Sequence, residues 1–520
     1  MRILFTQTAV SLRTRLFSMA SGLGDSNNKT VIEAGLVTVA CLALFLPFLS
    51  LQYDTNGLVE ASAVEAGNLL HKNHLLYRIV AYVAYRGLLN AGYAGKAIVV
   101  LQWINAVCGA LGVGFAYITY KLTANSTVAA IAGTTLVACS FIYWLFSTDA
   151  TYVTLAAMFA SASVAVLLAA HSPVHTIAAG LLTALAILTW QASVFLIPAL
   201  IMVCLYCRAD LGHQTRARYT LLYTATACLV AGLAYVCLAF WQHGIMGVSA
   251  LARWLTSYGE TGTLPMWGKW DEGRTVIALR SALSSILPLP LAVPLTEIRW
   301  GIQRGRIAVD VALLGFGFLG LLAGLKTQAK AICFLLGYAI FLPFIIWWDP
   351  FEPKWFLVPN LFLAAFFSTS LVPWFQNRYV SVAITGILLC VAATNFITTI
   401  RPRHNDIGPF RHMAQCVAEN LRPNDLFLAA EWGWPDYLEY LHHRRSLSLI
   451  SNSSSLREAL DEVQRDGGQA FTLDPNEFSD AHISWLKSQS GIDRNDLRRL
   501  AVTPAFLCYG RTIFAVPTSP

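Results

Sequence analysis

Long apolar runs recur along most of this chain, and charged residues stand mainly between them. Because a membrane-spanning helix needs about 20 apolar residues, this pattern predicts a series of transmembrane helices. The predicted spans are 31–51, 97–120, 126–146, 151–170, 219–241, 307–325, 331–348, 355–373 and 379–399. A further apolar stretch, 176–207, is too long for one span and short for two, and Gln191 lies near its middle.

Basic residues near the span ends predict how the chain is oriented. Since Lys and Arg are retained preferentially on the cytoplasmic side, the basic segment 1–30 is predicted to be cytoplasmic. The loop 52–96 then lies on the outer face. The basic loop after 176–207 is also predicted to be cytoplasmic, which requires two short helices that turn near Gln191 on the outer side.

The region 242–306 mixes Trp, Gly and charged residues, which is typical of a loop with interfacial helices. It ends in Arg299, Arg304 and Arg306, and only one predicted span separates these from the basic segment 326–330. Both basic groups cannot be cytoplasmic, so the pattern leaves open whether 276–296 crosses the membrane. Facing outward, the three arginines can hold a polyprenyl phosphate or diphosphate, because guanidinium groups match phosphate oxygens. Facing inward, they are signals of topology only.

The character of the chain changes after residue 400. Residues 401–520 contain no apolar run of spanning length, and helical and strand patterns alternate between 410 and 473. Such alternation predicts a small α/β domain. The predicted organisation is therefore a cytoplasmic segment 1–30, a transmembrane module 31–400 with loops 52–96 and 242–306, and a domain 401–520.

The composition agrees with a polytopic membrane protein, because only 12% of the residues are charged and soluble domains have about a quarter. No dense basic stripe with stacking aromatics indicates nucleic-acid binding. No phosphate-binding loop, metalloprotease or hydrolase motif is present. Charged residues do not recur at the span centres, which argues against an ion-coupled transporter.

The eleven cysteines do not form the framework of a small disulfide-rich protein, because nine of them lie in or near apolar segments. Cys204 and Cys207 have a zinc-like spacing, but no second pair accompanies them, so no metal site is expected. Cys416 and Cys508 lie in the polar C-terminal region. The sequence leaves open whether they pair.

The first outer loop carries the densest group of chemically useful side chains. Asp54 follows the first span by three residues, and Glu60, Glu65, His71 and His74 follow it. A carboxylate at the membrane surface is well placed to meet a lipid-linked substrate, and the other groups can supply base catalysis or charge compensation. The alternative is an ordinary polar loop, because exposed carboxylates are common.

Two other outer turns are candidates. Asp149 lies in a tight turn between two predicted spans, where it can act in the site or cap the following helix. Asp349, Glu352 and Lys354 lie in "WWDPFEPKW", where they can bind a phosphate or sugar. A solvated turn between two prolines is the alternative there.

The order of these features resembles the GT-C superfamily of integral-membrane glycosyltransferases, which includes protein O-mannosyltransferases and the lipid A aminoarabinose transferase. In that family an acidic residue follows the first span, as Asp54 does here. A later "HPPLY"-like segment opens the next helix, and "HKNHLLY", ending at Tyr77, is its loose counterpart. The segment 180–200 resembles the family's broken helix pair, and 347–360 resembles its late outer loop. Thr55 departs from the common Asp-Glu pair, so the partner of Asp54 stays undefined.

The resemblance implies an α-helical polytopic membrane protein with about 11 transmembrane helices and a small extracytoplasmic C-terminal α/β domain, in a bacterial inner membrane. It implies that 276–296 does not cross and that the three arginines face outward. It implies transfer of a sugar from a polyprenyl-phosphate donor to a glycan, lipid or protein acceptor. No cofactor follows, and a divalent cation is left open. The alternative functions are a flippase for lipid-linked saccharides and a non-catalytic scaffold.

Asp54 is the expected general base, with Glu60 and Asp149 as further catalytic residues. The residues expected to bind substrate are Glu65, His71, His74, Tyr77, Gln191, Arg299, Arg304, Arg306, Asp349, Glu352 and Lys354.

Overall fold

The structure is a computed structural model. It describes residues 25–208, 210–256, 268, 270–288, 315, 322, 329–431, 433–450 and 455–517. Most of the described residues are helical, and a small sheet lies near the C-terminus.

The helices of the first part are α1 (Asp25–Phe45), α2 (Thr55–Ala66), α3 (Leu75–Asn90), α4 (Ala97–Ala124), α5 (Thr127–Cys139), α6 (Phe141–Thr148), α7 (Val153–Leu168), α8 (Pro173–Thr189), α9 (Leu196–Met202), α10 (His213–His243), α11 (Val248–Thr256) and α12 (Arg274–Ser284). They are followed by α13 (Ala329–Ala339), α14 (Leu342–Trp348), α15 (Pro359–Ser370), α16 (Arg378–Asn395) and α17 (Arg401–Asn405). Short 3-10 or π turns continue several of them.

Five helical segments in the described part of the chain are long and apolar enough to cross a membrane, and they are Asn28–Phe48, Ala97–Ala124, His213–His243, Ala329–Trp348 and Arg378–Asn420. The pair α5 and α6 makes a sixth if this segment, bent by 60°, is one span. A polytopic membrane protein is therefore supported, but the expected count of about 11 spans is not confirmed. The predicted span 307–325 lies outside the described residues, apart from isolated positions.

Several predicted spans are shorter or more broken than expected. The predicted span 151–170 is a 16-residue helix, α7. The stretch 176–207 forms two short helical segments that meet at Gln191, as predicted. The span 126–146 bends at Ser140, where the Asn395 side chain donates to the main-chain carbonyl of Cys139 at 2.7 Å. Such a contact satisfies a carbonyl that the break leaves without a helical partner.

Helix α4 lies at the centre of the membrane part and packs against α1, α5, α6 and α7. Its buried residues are mostly small and apolar, which allows close helix packing. Gln102 and Asn105 are buried polar exceptions within it. Their side chains contact the segments that carry the candidate residues Asp54 and Asp149.

The C-terminal part is an α/β unit. Its helices are α18 (Gly408–Asn420), α19 (Trp434–Asp436, continued by a π turn Tyr437–Leu441), α20 (Leu456–Arg465), α21 (Asp480–Ser490) and α22 (Arg494–Leu500). Its strands are β1 (Leu426–Ala429), β2 (Arg445–Ser448), β3 (Ala470–Leu473), β4 (Thr503–Cys508) and β5 (Arg511–Val516). The sheet order is β2-β1-β3-β5-β4, in which β1 is parallel to β2 and β3, and β5 is antiparallel to β3 and β4.

The alternating helices and strands predicted between 410 and 473 are all present. The last span leads through α17 into α18 within the helical segment Arg378–Asn420, which is interrupted at Asp406 and Ile407 before this unit begins. A disulfide joins Cys416 of α18 to Cys508 of β4, which answers the question that the sequence left open.

Candidate active site

The segment 49–54 connects α1 to α2 and carries Asp54 at its end. Asp54 has an extended backbone and caps α2. Its Oδ1 accepts hydrogen bonds from the main-chain and side-chain nitrogens of Asn56, both at 2.9 Å. The side chain is half-buried. The carboxylate is therefore held at the positive end of a helix, where negative charge is stabilised.

Asp149 stands next to Asp54 and is fully buried. Its Oδ2 accepts from the main-chain nitrogen of Asp54 at 3.1 Å and pairs with Arg403 at 2.7 Å. Burial raises the pKa of Asp149 to about 6, against the opposing charge of Arg403. The alternative that Asp149 caps the next helix is wrong. The N-cap residue of the next helix is Tyr152, and the Asp149 carboxylate accepts a hydrogen bond from the main chain of Asp54 in the first outer loop instead.

Two polar residues of α4 hold the turn that carries Asp149. The Asn105 side chain donates to the carbonyls of Asp149 and Thr151, both at 2.7 Å. The Gln102 side chain donates to the Ser50 carbonyl at 2.7 Å. Both side chains therefore satisfy main-chain groups that a buried turn would leave without partners.

Helix α2 lies directly on the same turn. A Cβ atom on Gly57 would lie 2.3 Å from the main-chain oxygen of Ala150, which is far inside contact distance. Only glycine permits this approach, so Gly57 sets how closely Asp54 stands to Asp149.

The C-terminal unit holds the segment 49–54 from the other side. Arg403 donates to the Gln52 carbonyl in addition to its pairing with Asp149, and Tyr437 donates to the Tyr53 carbonyl. Arg411 donates to the Leu51 carbonyl at 2.9 Å. The position of Asp54 thus depends on residues that come about 350 positions later in the chain.

The two glutamates of the first outer loop have other partners. Glu60 is buried and forms a two-pronged ion pair with Arg78, at 2.8 and 3.1 Å. Burial raises its pKa, although the hydrogen bond and charge of Arg78 act in the opposite direction. Glu65 accepts from the main-chain nitrogen of Ala97 at the start of α4 and from the Tyr440 hydroxyl, both at 2.7 Å. The structure therefore joins Asp54 to Asp149 rather than to either glutamate.

A polar cavity of about 380 Å³ lies between α2 and the C-terminal unit. We call it the polar cavity, and the residues that line it are Thr55, Asn56, Val59, Glu60, His71, His74, Arg78, Gly433, Pro435, Asp436, Glu439, Ser446 and Ser448. Burial and the neighbouring Glu439 raise the pKa of Asp436 to about 7. The cavity begins beside Asp54, through Thr55 and Asn56.

His74 separates the polar cavity from a second one. Its ring stacks on Tyr152 with 3.4 Å between centroids and lies 5.2 Å from the parallel ring of His71. Burial, followed by the charge of Arg78, lowers the pKa of His71 to about 4. Burial also places the pKa of His74 well below its ordinary value. Tyr77 is buried behind this stack, and its hydroxyl contacts Asn105 at 3.5 Å.

The second cavity, of about 230 Å³, is mainly aromatic. We call it the aromatic cavity, and its lining includes His74, Tyr152, Trp190, Gln191, Phe344, Trp347, Trp348, Asp349, Lys354 and Trp355. Trp190 stacks on Trp355 at 5.3 Å, and Gln191 donates to the Leu255 carbonyl at 3.0 Å. The two predicted outer turns at 191 and 349–355 therefore meet in one place.

Two of the three charged groups of this late loop are shielded from solvent, whereas Glu352 keeps 49% of its side chain exposed. Asp349 is buried, and burial together with Glu352 raises its pKa. Lys354 lies 3.5 Å from Glu352 and keeps only 14% of its side chain exposed. Arg274 donates to the carbonyls of Ile346, Trp347 and Trp348 at the end of α14.

Several of these partners were not predicted from the sequence. Arg78, Arg274 and Arg403 each hold a predicted acidic residue or its loop, and each is the kind of isolated arginine that a topology rule counts only as a charge. Only Arg403 lies near a predicted membrane boundary, just after the span 379–399, whereas Arg78 and Arg274 lie within predicted loops. Arg299, Arg304 and Arg306 lie outside the described residues.

The residues that the structure describes do not form a site that fits a metal ion. No group of three or more His, Cys, Asp or Glu side chains lies close enough together to hold one. The Asp149 carboxylate is engaged by Arg403, and the Asp54 Oδ1 by Asn56. We derive no step through a metal.

Neither a protein-family model nor a curated protein sequence matches this chain. Solved structures do. ArnT from Cupriavidus metallidurans bound to undecaprenyl phosphate is 12% identical with a TM-score of 0.55, covering 94% of this chain and 98% of that one. ArnT and the archaeal oligosaccharyltransferase AglB, described next, share the GT-C fold. The chain has the GT-C fold.

Two structures of the Archaeoglobus fulgidus oligosaccharyltransferase AglB are also similar, each at 12% identity and a TM-score of 0.52. One is a complex with an inhibitory peptide and a dolichol-phosphate and covers 95% of this chain and 74% of that one. The other is a complex with Zn and sulfate and covers 94% and 73%. The family resemblance inferred from the sequence is thus confirmed at the level of the GT-C fold.

Proposed function

We propose that this protein transfers a sugar from a polyprenyl-phosphate donor to a glycan, lipid or protein acceptor at the outer face of the membrane. The observation that carries the proposal is the carboxylate of Asp54, fixed at the start of α2 beside the polar cavity in a GT-C fold. The similar structures with undecaprenyl phosphate and dolichol-phosphate support a lipid-phosphate donor in general terms.

Asp54 acts as the general base in this proposal. It takes the proton of an acceptor hydroxyl, whose oxygen attacks the anomeric carbon as the bond from that carbon to the phosphate oxygen breaks. Within the described residues, both side-chain hydrogen bonds of Asp54 end on Oδ1. Oδ2 is therefore the oxygen that can face the substrate.

The leaving polyprenyl phosphate needs positive charge. Lys354 supplies it at the aromatic cavity, whose tryptophans suit the start of a prenyl chain. The donor side of the site is also shaped or stabilised by Gln191, Tyr77, Asp349 and Glu352. Further cations proposed to bind the phosphate are Arg299, Arg304 and Arg306.

The proposed orientation places the polar cavity, the C-terminal domain 401–520 and its disulfide outside the cytoplasm. Disulfides persist in oxidising compartments such as the bacterial periplasm. The disulfide between Cys416 and Cys508 lies in the same unit as Arg403, which contacts Asp149. Asp54 and the disulfide therefore belong on one side of the membrane, in agreement with an inner-membrane enzyme that acts on its outer face.

The test is transfer from a radiolabelled polyprenyl-phosphate sugar by purified protein carrying Asp54→Asn. We expect transfer and slow donor hydrolysis to fall at least a hundredfold, because an amide cannot take up the proton. Asp474→Asn is a matched control, since Asp474 accepts the same kind of hydrogen bond from the main-chain nitrogen of Asn476, at 2.8 Å, and lines neither cavity. Full transfer activity of Asp54→Asn would refute the assignment of Asp54 as general base. A flippase, the alternative function, would retain its transport in this variant.

A further inference from the structure

The polar cavity has an acidic lining. Asp436 and Glu439 reach it from the C-terminal unit, and Ser446 and Ser448 of β2 add hydroxyl groups. Arg78 is the only cation among the described residues that line it. Because Glu60 engages that guanidinium through two hydrogen bonds, the charge of this pair is already balanced. A molecule that enters therefore meets the carboxylate of Glu439 and many hydrogen-bond acceptors, while Asp436, with a pKa of about 7, is partly protonated at neutral pH.

His74 gives an independent indication of a ligand. It is 6% exposed, lines the cavity, and its Nδ1 is buried without a hydrogen-bond partner in the described part of the chain. Buried polar atoms are almost always paired, so a polar group of a ligand is the natural partner of this nitrogen.

His71 repeats this arrangement. Its Nδ1 is also buried without a partner among the described residues, and its ring lies parallel to that of His74. The low pKa of both imidazoles keeps them neutral near pH 7, where each offers an acceptor nitrogen rather than a positive charge.

We propose that the polar cavity binds the acceptor through a hydroxyl-rich saccharide portion that carries no phosphate or carboxylate group. Sugar hydroxyls donate to the carboxylates of Asp436 and Glu439 and form hydrogen bonds with the Nδ1 atoms of His71 and His74, which have no partner among the described residues. Ser448 can donate in return, whereas Ser446 already donates to Glu439 at 2.9 Å. An anionic group would be repelled by the carboxylate of Glu439, which no cation lining the cavity among the described residues offsets. That the bound saccharide belongs to the acceptor rests on the proposed function, whereas the preference of the cavity for a neutral saccharide does not.

Binding of free monosaccharides tests the proposal directly. The probes are glucose, N-acetylglucosamine, glucose 6-phosphate and glucuronic acid, measured by saturation-transfer NMR with the full chain in lipid nanodiscs. We expect the two neutral sugars to bind and the two anionic sugars to bind at least tenfold more weakly. Equal binding of neutral and anionic sugars to the wild-type protein would overturn the proposal.

A charge reversal tests whether the preference for neutral sugars arises in the polar cavity. Glu439→Lys places a cation at the mouth of the cavity, at an exposed position that can accommodate it, and should raise binding of glucose 6-phosphate relative to glucose at least tenfold. Glu462→Lys is the matched control, because Glu462 is an exposed carboxylate of the same unit that pairs with Arg445 and does not line the cavity. The same shift in both variants, or in neither, would contradict the proposal.

The two histidines can be tested without a change of charge. His74→Phe keeps a flat ring against Tyr152 but removes the acceptor nitrogen, and should weaken binding of the neutral sugars at least tenfold. Undiminished binding, in protein whose thermal unfolding is unchanged, would remove His74 from the proposal and overturn its central argument.

Failure of this inference is distinguishable from failure of the proposed function. If no sugar is transferred from the lipid donor but the neutral sugars bind and Glu439→Lys reverses the preference, the proposed function falls and the saccharide site stands. If transfer occurs and the acceptor group in the polar cavity proves to be a phosphate, the function stands and the inference falls.

Discussion

The ion pair between Asp149 and Arg403 should be the main electrostatic support of the candidate site, and Arg403→Ala tests it. The side chain of Asp149 is fully buried, whereas that of Arg403 is 25% exposed. Removing the arginine leaves a buried carboxylate without its counter-charge, which destabilises proteins by about 3–5 kcal/mol. The reverse change, Asp149→Asn, leaves a cation that water can reach and should be milder.

The effect of Arg403→Ala should depend on pH in a defined direction. In the wild-type protein the pKa of Asp149 is about 6, against an ordinary 3.8, because burial disfavours its charge. Between these values the folded protein holds a proton that the unfolded chain has lost. The free energy of unfolding therefore falls by about 3 kcal/mol as pH rises through this window, and is unaffected by this group above it.

Loss of Arg403 raises the pKa of Asp149 further, so the window extends to higher pH. The variant should then be destabilised little near pH 5, where Asp149 is protonated, and increasingly between pH 6 and 8. The assay is thermal unfolding of purified protein at several pH values, followed by tryptophan fluorescence. A decrease in the midpoint on the order of 5 °C at pH 8 is expected.

Arg411→Ala is the matched control, because Arg411 holds the same segment through the Leu51 carbonyl and faces no carboxylate there. It should lower the midpoint equally at each pH. In the double variant Asp149→Asn with Arg403→Gln, which contains neither charge, the additional fall of the midpoint between pH 6 and 8 should disappear. Parallel pH curves for Arg403→Ala and wild type, or no recovery in the double variant, would refute the reasoning.

Two further predictions concern the same region. Gly57→Ala should reduce transfer at least tenfold and lower thermal stability, since the new Cβ would meet the Ala150 oxygen at 2.3 Å. Gly87→Ala is the control and should leave activity unchanged, because there is open space around its Cβ. Equal behaviour of the two variants would contradict the proposed contact. Reduction of the disulfide between Cys416 and Cys508, 92 positions apart, should destabilise the C-terminal unit by about 2–5 kcal/mol. A shifted band on non-reducing gels together with an unchanged unfolding profile would contradict it.

Much of the local structure could be predicted because it follows from local pattern. Apolar runs marked the long spans, and alternating patterns marked β1, β2 and β3 with their helices. The turn at Gln191 followed from orientation, since a basic loop on the cytoplasmic side required two crossings. These inferences need only the spacing of apolar residues along the chain and the charge of residues close to them in sequence.

The details of the site could not be predicted because its partners are far apart in the chain. Asp149 and Arg403 are separated by 254 positions, and Tyr53 and Tyr437 by 384. No local pattern predicts such pairs, so Asp149 was expected either in the site or as a cap, and Arg403 was not expected at all. The buried pairing of Glu60 with Arg78 escaped for a related reason. A carboxylate in a loop is usually exposed, and only packing against α3 shows otherwise.

Under the proposed function, the charges of the two cavities decide which substrate enters which one. At an effective dielectric constant of about 20, unit charges about 4 Å apart interact by about 4 kcal/mol, or roughly a factor of a thousand in occupancy. A donor phosphate meets the counter-charge of Lys354 in the aromatic cavity, where Glu352 at 3.5 Å already offsets part of that charge. In the polar cavity it meets the carboxylate of Glu439, while Asp436, with a pKa of about 7, is partly protonated at neutral pH. Both effects are therefore smaller than this value.

Donor and acceptor therefore approach from opposite sides of His74, which lines both cavities, and do not compete for one position. Asp54 adjoins the polar cavity through Thr55 and Asn56, which is the acceptor's side. Only the acceptor has a proton to lose in the reaction. The general base thus stands on the side from which the acceptor hydroxyl attacks, and the phosphate leaves toward Lys354 on the other side of His74.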